Sequence, residues 1–194
     1  MKRAFIGNGG HTNEVEHQIG EKLLRFVSDE FFSGSPNTKR LSEFNPNEYE
    51  VMITLGDSLQ RYELKKTLPK ETKYFSFIHP TSLLMDKNIK IGDGCFIGAY
   101  SILTCNISIG EHSILNRMVQ IGHDCVIGDF FSAMPGSVVS GNVKIGEKVY
   151  LGSNSTIREK LEICDDVIIG LSSSVVKNIK LSGTYVGCPS KLLK

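Results

Sequence analysis

A histidine followed by an aspartate, His123 and Asp124, is the pair of residues in this chain best suited to acid–base chemistry. An imidazole accepts a proton near neutral pH, and an adjacent carboxylate stabilises the imidazolium that forms. Such a base suits a reaction in which an attacking amine or hydroxyl loses a proton. The orientation of the pair depends on the structure around it.

A strict six-residue repeat surrounds this pair. Every sixth residue from Ile91 to Val175 is aliphatic or small and apolar. A period of six fits neither an α-helix nor an alternating strand, and it predicts a hexapeptide-repeat β-helix whose units each form one face of a three-sided coil. Fifteen units predict five coils of eighteen residues. The ladder residues are Ile91, Ile97, Leu103, Ile109, Leu115, Ile121, Ile127, Ala133, Val139, Ile145, Leu151, Ile157, Ile163, Ile169 and Val175.

The ladder also predicts where other side chains point. Residues four places after a ladder position are mostly small or apolar, so Cys95 and Cys125 are interpreted as core residues. His123 follows ladder residue Ile121 by two places, and we expect it to point away from the core. Glycines that directly follow a ladder residue are expected at corners, where a positive φ costs glycine little. They are Gly92, Gly98, Gly110, Gly122, Gly128, Gly146, Gly152 and Gly170.

A β-sandwich of short alternating strands is the competing fold for this region. It would show turn signals every 8–12 residues or so, with irregular spacing between the strands. The unbroken register over 85 positions argues against it. The hand of the coil does not follow from the period.

Residues 1–78 have a different pattern and predict a small parallel α/β domain, which precedes a β-helix domain over residues 79–194. The expected strands are 3–6, 24–27, 51–55 and 74–78, and the expected helices are 12–19 and 59–68. Thr12 or Asn13 is expected to cap the first helix. The glycine-rich turn from Gly7 to His11 either serves the fold alone or holds a phosphate or sugar, since parallel sheets bind ligands at the carboxyl ends of their strands.

Composition limits the classes of function. The net charge is +1, which gives no indication of general nucleic-acid binding. No apolar run is long enough to span a membrane, and the first residues lack the apolar core of a signal peptide. The five cysteines form no CxxC pair and no cluster with histidine. We therefore expect a cytoplasmic protein with reduced thiols and no membrane insertion.

Five segments accompany the repeat, namely Lys2 to His11, Leu55-Gly56-Asp57 with Arg61, His79-Pro80, Gln120 to Asp124, and Gly183 to Lys191. With them, the whole chain resembles the sialic-acid O-acetyltransferase-like family of hexapeptide-repeat acyltransferases. Within that family it is most similar to bacterial N-acetyltransferases that act on nucleotide-linked 4-amino-4,6-dideoxyhexoses for surface glycans or glycoproteins. The resemblance implies a Rossmann-like domain that binds the nucleotide sugar, a left-handed parallel β-helix, acetyl-CoA as donor, and a homotrimer with active sites between subunits.

The resemblance also assigns roles by position. His123 matches the catalytic base of the family, and Asp124 matches the acidic residue that assists it. The expected residues for the nucleotide sugar are Gly9, Gly10, His11, Asp29, Gly56 and Asp57. The expected residues for acetyl-CoA are Ser132, Gly141, Ser153, Gly170, Gly187 and Pro189.

The chain departs from the family pattern at Ser132. Many members carry a second histidine nine residues after the catalytic one, and that histidine touches acetyl-CoA. The hydroxyl of Ser132 can donate a hydrogen bond but cannot carry a positive charge at neutral pH. We therefore expect backbone groups along the coils to hold most of the acetyl-CoA, with one modest hydrogen bond from Ser132.

Two other functions compete with N-acetyl transfer to a nucleotide-linked sugar. The first is O-acetyl transfer to a free sugar such as sialic acid, which differs only in the acceptor. A nucleotide-binding domain favours the nucleotide-linked acceptor. The second is a zinc enzyme similar to the γ-type carbonic anhydrases, whose metal needs three imidazoles. The repeats offer only His112 and His123, so we expect no metal.

Overall fold

The computed structural model describes residues 1–193, which begin with a five-stranded parallel sheet. Its strands are β1 (Lys2–Ile6), β2 (Leu24–Val27), β3 (Thr38–Arg40), β4 (Tyr49–Ile53) and β5 (Lys73–Tyr74). They lie in the order β3-β2-β1-β4-β5, with all pairs parallel. The ends of β1, β2 and β4 therefore meet at one edge of the sheet, as the strand pattern predicts.

Two helices flank this sheet, α1 (Gly10–Ile19) and α2 (Ser58–Thr67). The predicted cap of α1 at Thr12 or Asn13 is wrong, because the helix begins at Gly10 and no side chain caps it. Thr12 is instead buried, and its hydroxyl lies 2.9 Å from that of Thr54. Helix α2 is capped by Asp57, which accepts a hydrogen bond of 2.8 Å from the backbone of Gln60.

The rest of the chain is a left-handed parallel β-helix with three faces. The first face, which we call the covered face, consists of β6 (Phe77–Ile78), β9 (Phe96–Ile97), β12 (Ile114–Leu115), β15 (Ser132–Ala133), β18 (Tyr150–Leu151), β21 (Val167–Ile169), β23 (Gly183–Val186) and β24 (Lys191–Leu192). The second face consists of β7 (Leu83–Leu84), β10 (Ile102–Leu103), β13 (Gln120–Ile121), β16 (Val138–Val139), β19 (Thr156–Ile157) and β22 (Ser174–Val175). The third face consists of β8 (Lys90–Ile91), β11 (Ser108–Ile109), β14 (Val126–Ile127), β17 (Lys144–Ile145) and β20 (Glu162–Ile163).

The predicted ladder is confirmed as the core of the β-helix. From Ile97 onward every ladder residue is buried, and so is every residue four places after one. The helix is longer than five coils, because the second face has six strands. The predicted strand at 74–78 is wrong: Tyr74 belongs to the first sheet, whereas Phe77 and Ile78 pair with Phe96 and Ile97 in the β-helix.

The corner glycines occupy their positions for a reason other than the one predicted. Positive φ values fall three places after the ladder residues, for example at Asn106, Asp124 and Asn142. The glycines that directly follow ladder residues have no positive φ. A Cβ at Gly122 would lie 2.7 Å from the backbone nitrogen of Gly141 in the next coil. These glycines are therefore required by the close approach of successive coils.

The N-terminal region packs on the covered face through a shared apolar cluster. Its buried members are Phe5, Val15, Met52, Phe75, Phe96 and Ile114. The first four belong to the N-terminal region and the last two point outward from the β-helix. The outward side chains of Phe96 and Ile114 are therefore shielded from solvent by the N-terminal region.

Candidate active site

The side chains of His123 and Asp124 form a hydrogen-bonded pair on the edge between the second and third faces. His123 follows β13 and lies outside the core, as its register predicts, with 55% of its side chain exposed. Its Nδ1 lies 2.7 Å from Oδ2 of Asp124. A carboxylate can only accept, so Nδ1 carries the proton of the neutral ring and Nε2 keeps a free lone pair. This arrangement leaves Nε2 available as a base.

The backbone and one amide hold Asp124 in place. Asp124 has a φ of 58°, in the left-handed region that asparagine and aspartate tolerate best after glycine. Its other carboxylate oxygen, Oδ1, accepts a hydrogen bond of 3.0 Å from Nδ2 of Asn106. These contacts lower the pKa of Asp124, first because of the hydrogen bond with His123 and then because of the one with Asn106. The carboxylate is therefore ionised when the imidazole is ready to accept a proton.

Gly141 lies directly against the ring of His123. A Cβ at this position would lie 2.5 Å from Nε2 and 2.7 Å from Cε1 of the imidazole. The backbone of the next coil therefore limits where the ring can turn. The assignment of Gly141 to acetyl-CoA binding stays a prediction. Its place beside Nε2 of His123 is compatible with that assignment.

Two neighbours of the pair are absent from the sequence prediction. Asn106 precedes Asp124 by eighteen residues, which is one coil, and Cys105 precedes His123 by the same interval. The backbone of Asp124 donates to the carbonyl of Cys105 at 3.0 Å, which places the two corners one above the other. The eighteen-residue period was sufficient to find both residues.

A crevice of about 310 Å³ opens where β1, β2 and β4 end. Gly9 lies in its wall, and its assignment to the nucleotide sugar stays a prediction. The other lining residues are Ile6, Gly7, Asn8, Phe26, Val27, Ser28, Phe31, Leu55 and Leu64. Asp29 follows the lining residue Ser28, is exposed, and accepts a hydrogen bond of 3.3 Å from the backbone of Ser42. A hydrogen bond with the side chain of Ser42 is the main reason that the pKa of Asp29 is lowered, and this backbone bond lowers it further.

Four predicted substrate residues lie elsewhere or already have partners. His11 belongs to α1 and packs edge-on against Phe96 of the covered face, with ring centroids 6.0 Å apart. Burial, followed by the charge of Arg61, lowers the pKa of His11 to about 4. Asp57 caps α2, and the carbonyl of Gly56 accepts two hydrogen bonds at the contact with the β-helix. Gly10 is exposed at the start of α1, outside the crevice lining.

The structure contradicts the assignment of Ser132 to acetyl-CoA binding. Ser132 points outward from the covered face and is fully buried beneath α2. Its hydroxyl donates to the carbonyl of Gly56 and accepts from Ser58 and Arg61, each at 2.9 Å. A hydroxyl has one proton and two lone pairs, so this group has no capacity left for a ligand.

The remaining predicted acetyl-CoA residues lie away from His123. Ser153 and Gly170 are on the edge between the covered and second faces. Gly187 is farther along the chain, where its backbone donates to the hydroxyl of Ser173 at 2.9 Å. Pro189 lines a small cavity of about 240 Å³ near the C-terminal end. Within one chain, the second face separates Ser153 and Gly170 from His123 and Gly141.

The geometry of residues 1–193 supports neither a metal site nor a membrane-spanning helix. Within residues 1–193 no three histidine, cysteine, aspartate or glutamate side chains are grouped so that they could hold a metal ion. Over the same residues, neither α-helix has the length and apolar character needed to cross a membrane.

Comparison with known families agrees with the repeat. Residues 124–159 match the bacterial transferase hexapeptide (six repeats), and residues 88–116 match the hexapeptide repeat of succinyl-transferase. Both matches lie within the β-helix and agree with its six-residue repeat.

The chain is also similar to individual acyltransferases of known activity. The chain is 31% identical over 112 residues to a GDP-perosamine N-acetyltransferase of Escherichia coli, covering 58% of this chain and 50% of the relative. It is 26% identical over 125 residues to a UDP-3-O-acylglucosamine N-acyltransferase of Campylobacter lari, covering 64% and 39% respectively. The chain thus spans half or less of the length of these curated relatives.

Solved structures resemble the whole chain. A variant of perosamine N-acetyltransferase from Caulobacter crescentus, in complex with CoA and GDP-perosamine, has a TM-score of 0.89 at 22% identity, covering 100% of this chain and 97% of that one. WeeI from Acinetobacter baumannii has a TM-score of 0.87 at 25% identity, with 100% of both chains covered. Both parts of the fold are therefore shared with these proteins.

Proposed function

We propose that this protein transfers the acetyl group of acetyl-CoA to the amino group of a nucleotide-linked 4-amino-4,6-dideoxyhexose. The pairing of His123 with Asp124 carries the proposal, because it leaves one imidazole nitrogen free on the outside of the β-helix. The similarity to a GDP-perosamine N-acetyltransferase makes GDP-perosamine the first acceptor to test.

In the proposed reaction the chain's own residues move one proton. Nε2 of His123 accepts a proton from the amino group as its nitrogen attacks the thioester carbonyl carbon. The ionised carboxylate of Asp124 stabilises the resulting imidazolium through Nδ1. The carbon–sulfur bond then breaks, and the proton passes to the CoA thiolate, which leaves His123 neutral for the next turnover. No covalent enzyme intermediate is needed.

We place the nucleotide in the crevice at the ends of β1, β2 and β4. Its lining combines apolar side chains such as Phe26, Phe31 and Leu55 with the glycine-rich turn at Gly9. The first turn of α1 carries no capping side chain and no acidic residue. Free N–H groups at a helix N-terminus favour phosphate, which supports binding of a sugar diphosphate here.

We further propose a homotrimer with its active sites between subunits. Gly141 lies on one edge of the β-helix and Ser153 and Gly170 lie on another, so neighbouring chains are needed to bring these predicted residues around one donor molecule. Exposed apolar side chains on and beside the second face include Leu83, Met85, Tyr100, Ile102 and Met118. Burial of such a patch in an oligomer is favourable. We also propose a cytoplasmic location, because all five cysteines are free thiols.

An acetylation screen tests the proposal. The full chain is incubated with acetyl-CoA and GDP-perosamine, with the corresponding UDP- and dTDP-linked amino sugars, or with free sialic acid, and thiol release and product mass are recorded. We expect an acetyl group on the nitrogen of a nucleotide-linked sugar. Acetylation of sialic acid alone would favour the O-acetyltransferase, and no thiol release with any acceptor would overturn the proposal. Light scattering during gel filtration measures the oligomeric state.

A further inference from the structure

A buried guanidinium joins the N-terminal region to the β-helix. Arg61 of α2 is fully buried, and within residues 1–193 none of its hydrogen-bond partners is a carboxylate. Burial lowers its pKa to about 9, so it remains protonated at neutral pH. Burying such a charge is costly unless its donors are satisfied, and here they all have acceptors. Arg61 therefore needs a specific set of hydrogen-bond acceptors, which an apolar side chain packed at this position would not need.

The acceptors of Arg61 come from both parts of the chain. Nη1 donates to the carbonyls of Leu55 at 2.7 Å and Gly56 at 3.0 Å, both in the N-terminal region. Nε donates to the carbonyl of His112 at 3.0 Å, in the β-helix. Nη2 donates to the carbonyls of Phe130 and Phe131, at 3.0 and 3.1 Å. The side chain of Arg61 thus joins the loop at Leu55 and Gly56 to a corner of the β-helix.

Ser132 completes this contact at the residue where the family pattern has a histidine. Its hydroxyl links Arg61 and Ser58 of α2 to the carbonyl of Gly56, each at 2.9 Å. The carbonyl of Gly56 is therefore held by both Arg61 and Ser132. Leu55, the preceding residue, lines the crevice proposed for the nucleotide. Any shift of this loop changes the wall of the crevice.

We propose that Ser58, Arg61 and Ser132, which we call the domain junction, are positioning residues that set the nucleotide crevice relative to the β-helix and thereby determine affinity for the acceptor. This rests on the proposed function, in which the acceptor spans the crevice and an imidazole on a β-helix. In this proposal Ser132 affects binding of the acceptor sugar, and other residues bind acetyl-CoA.

The test compares Ser132→Ala with Ser155→Ala in the full chain. Ser155 is also a buried serine of the β-helix, but its hydroxyl has no hydrogen-bond partner within residues 1–193. Ser132→Ala should raise the KM for GDP-perosamine by about tenfold and leave the KM for acetyl-CoA unchanged, because hydrogen bonds to a buried carbonyl and a buried guanidinium are lost. Ser155→Ala should change neither constant. Ser58→Ala should shift the same KM as Ser132→Ala, by a smaller factor.

Hydrogen exchange provides a readout that needs no substrate. In Ser132→Ala the backbone amides of residues 54–61 should exchange about tenfold faster than in Ser155→Ala, while amides of the β-helix core are unchanged. Unchanged exchange in this segment would overturn the domain junction even if wild-type protein acetylates no tested sugar. A rise in the KM for acetyl-CoA alone would overturn it equally, and would return Ser132 to the donor site.

Discussion

Nε2 of His123 lies against the backbone of Gly141 so closely that a Cβ there would be only 2.5 Å away. Gly141 follows His123 by eighteen residues, one full coil, so the contact is built into the repeat. The obstructing atoms belong to a side chain that can turn away, unlike the backbone atoms met by Gly122, Gly128 and Gly152. Gly141 therefore has a larger effect on the imidazole than on the fold.

Replacement of this glycine is the first prediction. Gly141→Ala should push the ring of His123 away from Asp124 and lower turnover by about 10–10²-fold, because the base loses its position. The thermal midpoint should fall less than in Gly128→Ala, where the new Cβ would lie 2.7 Å from the backbone of Gly146. Steady-state rates and thermal melts of both variants check this. Full activity in Gly141→Ala would show that the ring position does not matter.

The hydrogen bond between Asp124 and His123 predicts a change in the pH dependence of the rate. The lowered pKa of Asp124 means that its carboxylate is negatively charged near neutral pH, where it stabilises the imidazolium that forms when Nε2 takes up the proton of the amine. A general base must be unprotonated, so the rate falls on the acid side. Asp124→Asn removes the charge, and the acid-side fall in kcat/KM should move to lower pH. Turnover should drop less than in His123→Ala, and an acid limb that stays in place would exclude Asp124 from the mechanism.

Two buried histidines predict how stability depends on pH. Burial, followed by the charges of Lys65 and Arg61, lowers the pKa of His112 from 6.5 to about 3. As the pH falls below 6.5, the imidazole of the unfolded chain therefore binds a proton, whereas that of the folded chain stays neutral. The contribution of neutral His112 to the free energy of unfolding is therefore fully present above pH 6.5 and is lost as the pH falls towards about 3. His11, with a pKa of about 4, acts in the same direction.

His112→Phe isolates this effect. The ring of His112 stacks on Phe130 with centroids 5.1 Å apart, and phenylalanine keeps such a contact without titrating. The variant should lose less stability between pH 7.5 and pH 5 than wild type, as measured by denaturant unfolding. His17→Gln, at an exposed histidine, should keep the wild-type slope. Equal slopes in wild type and His112→Phe would show that His112 is not the titrating group.

The register of the ladder predicts opposite effects for neighbouring substitutions. Ile121 is buried in the closed stack, so Ile121→Asp should abolish folding, because an unpaired carboxylate there costs several kcal/mol. Gln120 precedes it in β13 and is exposed, so Gln120→Asp should melt close to wild type. Ile145→Asp should behave as Ile121→Asp does. A soluble Ile121→Asp protein with an intact thermal transition would contradict the register.

The sequence predicts contacts that repeat and misses those that do not. The six-residue period correctly places Ile121 inside and His123 outside, because each coil repeats the geometry of the last. The contacts of Gly141 and Asn106 with the pair were not predicted, although the eighteen residues of one coil contain the information needed to find them. Ser132 was assigned wrongly because nothing in the period shows that α2 covers its face.

The N-terminal region shows the same limit. The strand pattern correctly predicts a parallel sheet whose strand ends form a crevice at Gly9. The partners of His11 and Arg61 come from residues far along the chain, where Phe96 and the carbonyl of Phe131 meet them. Such contacts depend on how two regions pack, and local propensity carries no information about that. The roles of the glycines at the corners also required the distance between successive coils.

The most direct test of the account is the rate at which wild type and His123→Ala transfer acetyl from acetyl-CoA to GDP-perosamine near pH 7. We expect wild type to form the N-acetylated sugar nucleotide. We expect His123→Ala to keep its thermal midpoint and oligomeric state while turnover falls about 10²–10⁴-fold, because only the proton acceptor is removed. A folded His123→Ala protein whose turnover is less than about tenfold below wild type would contradict the assignment of His123 as the general base.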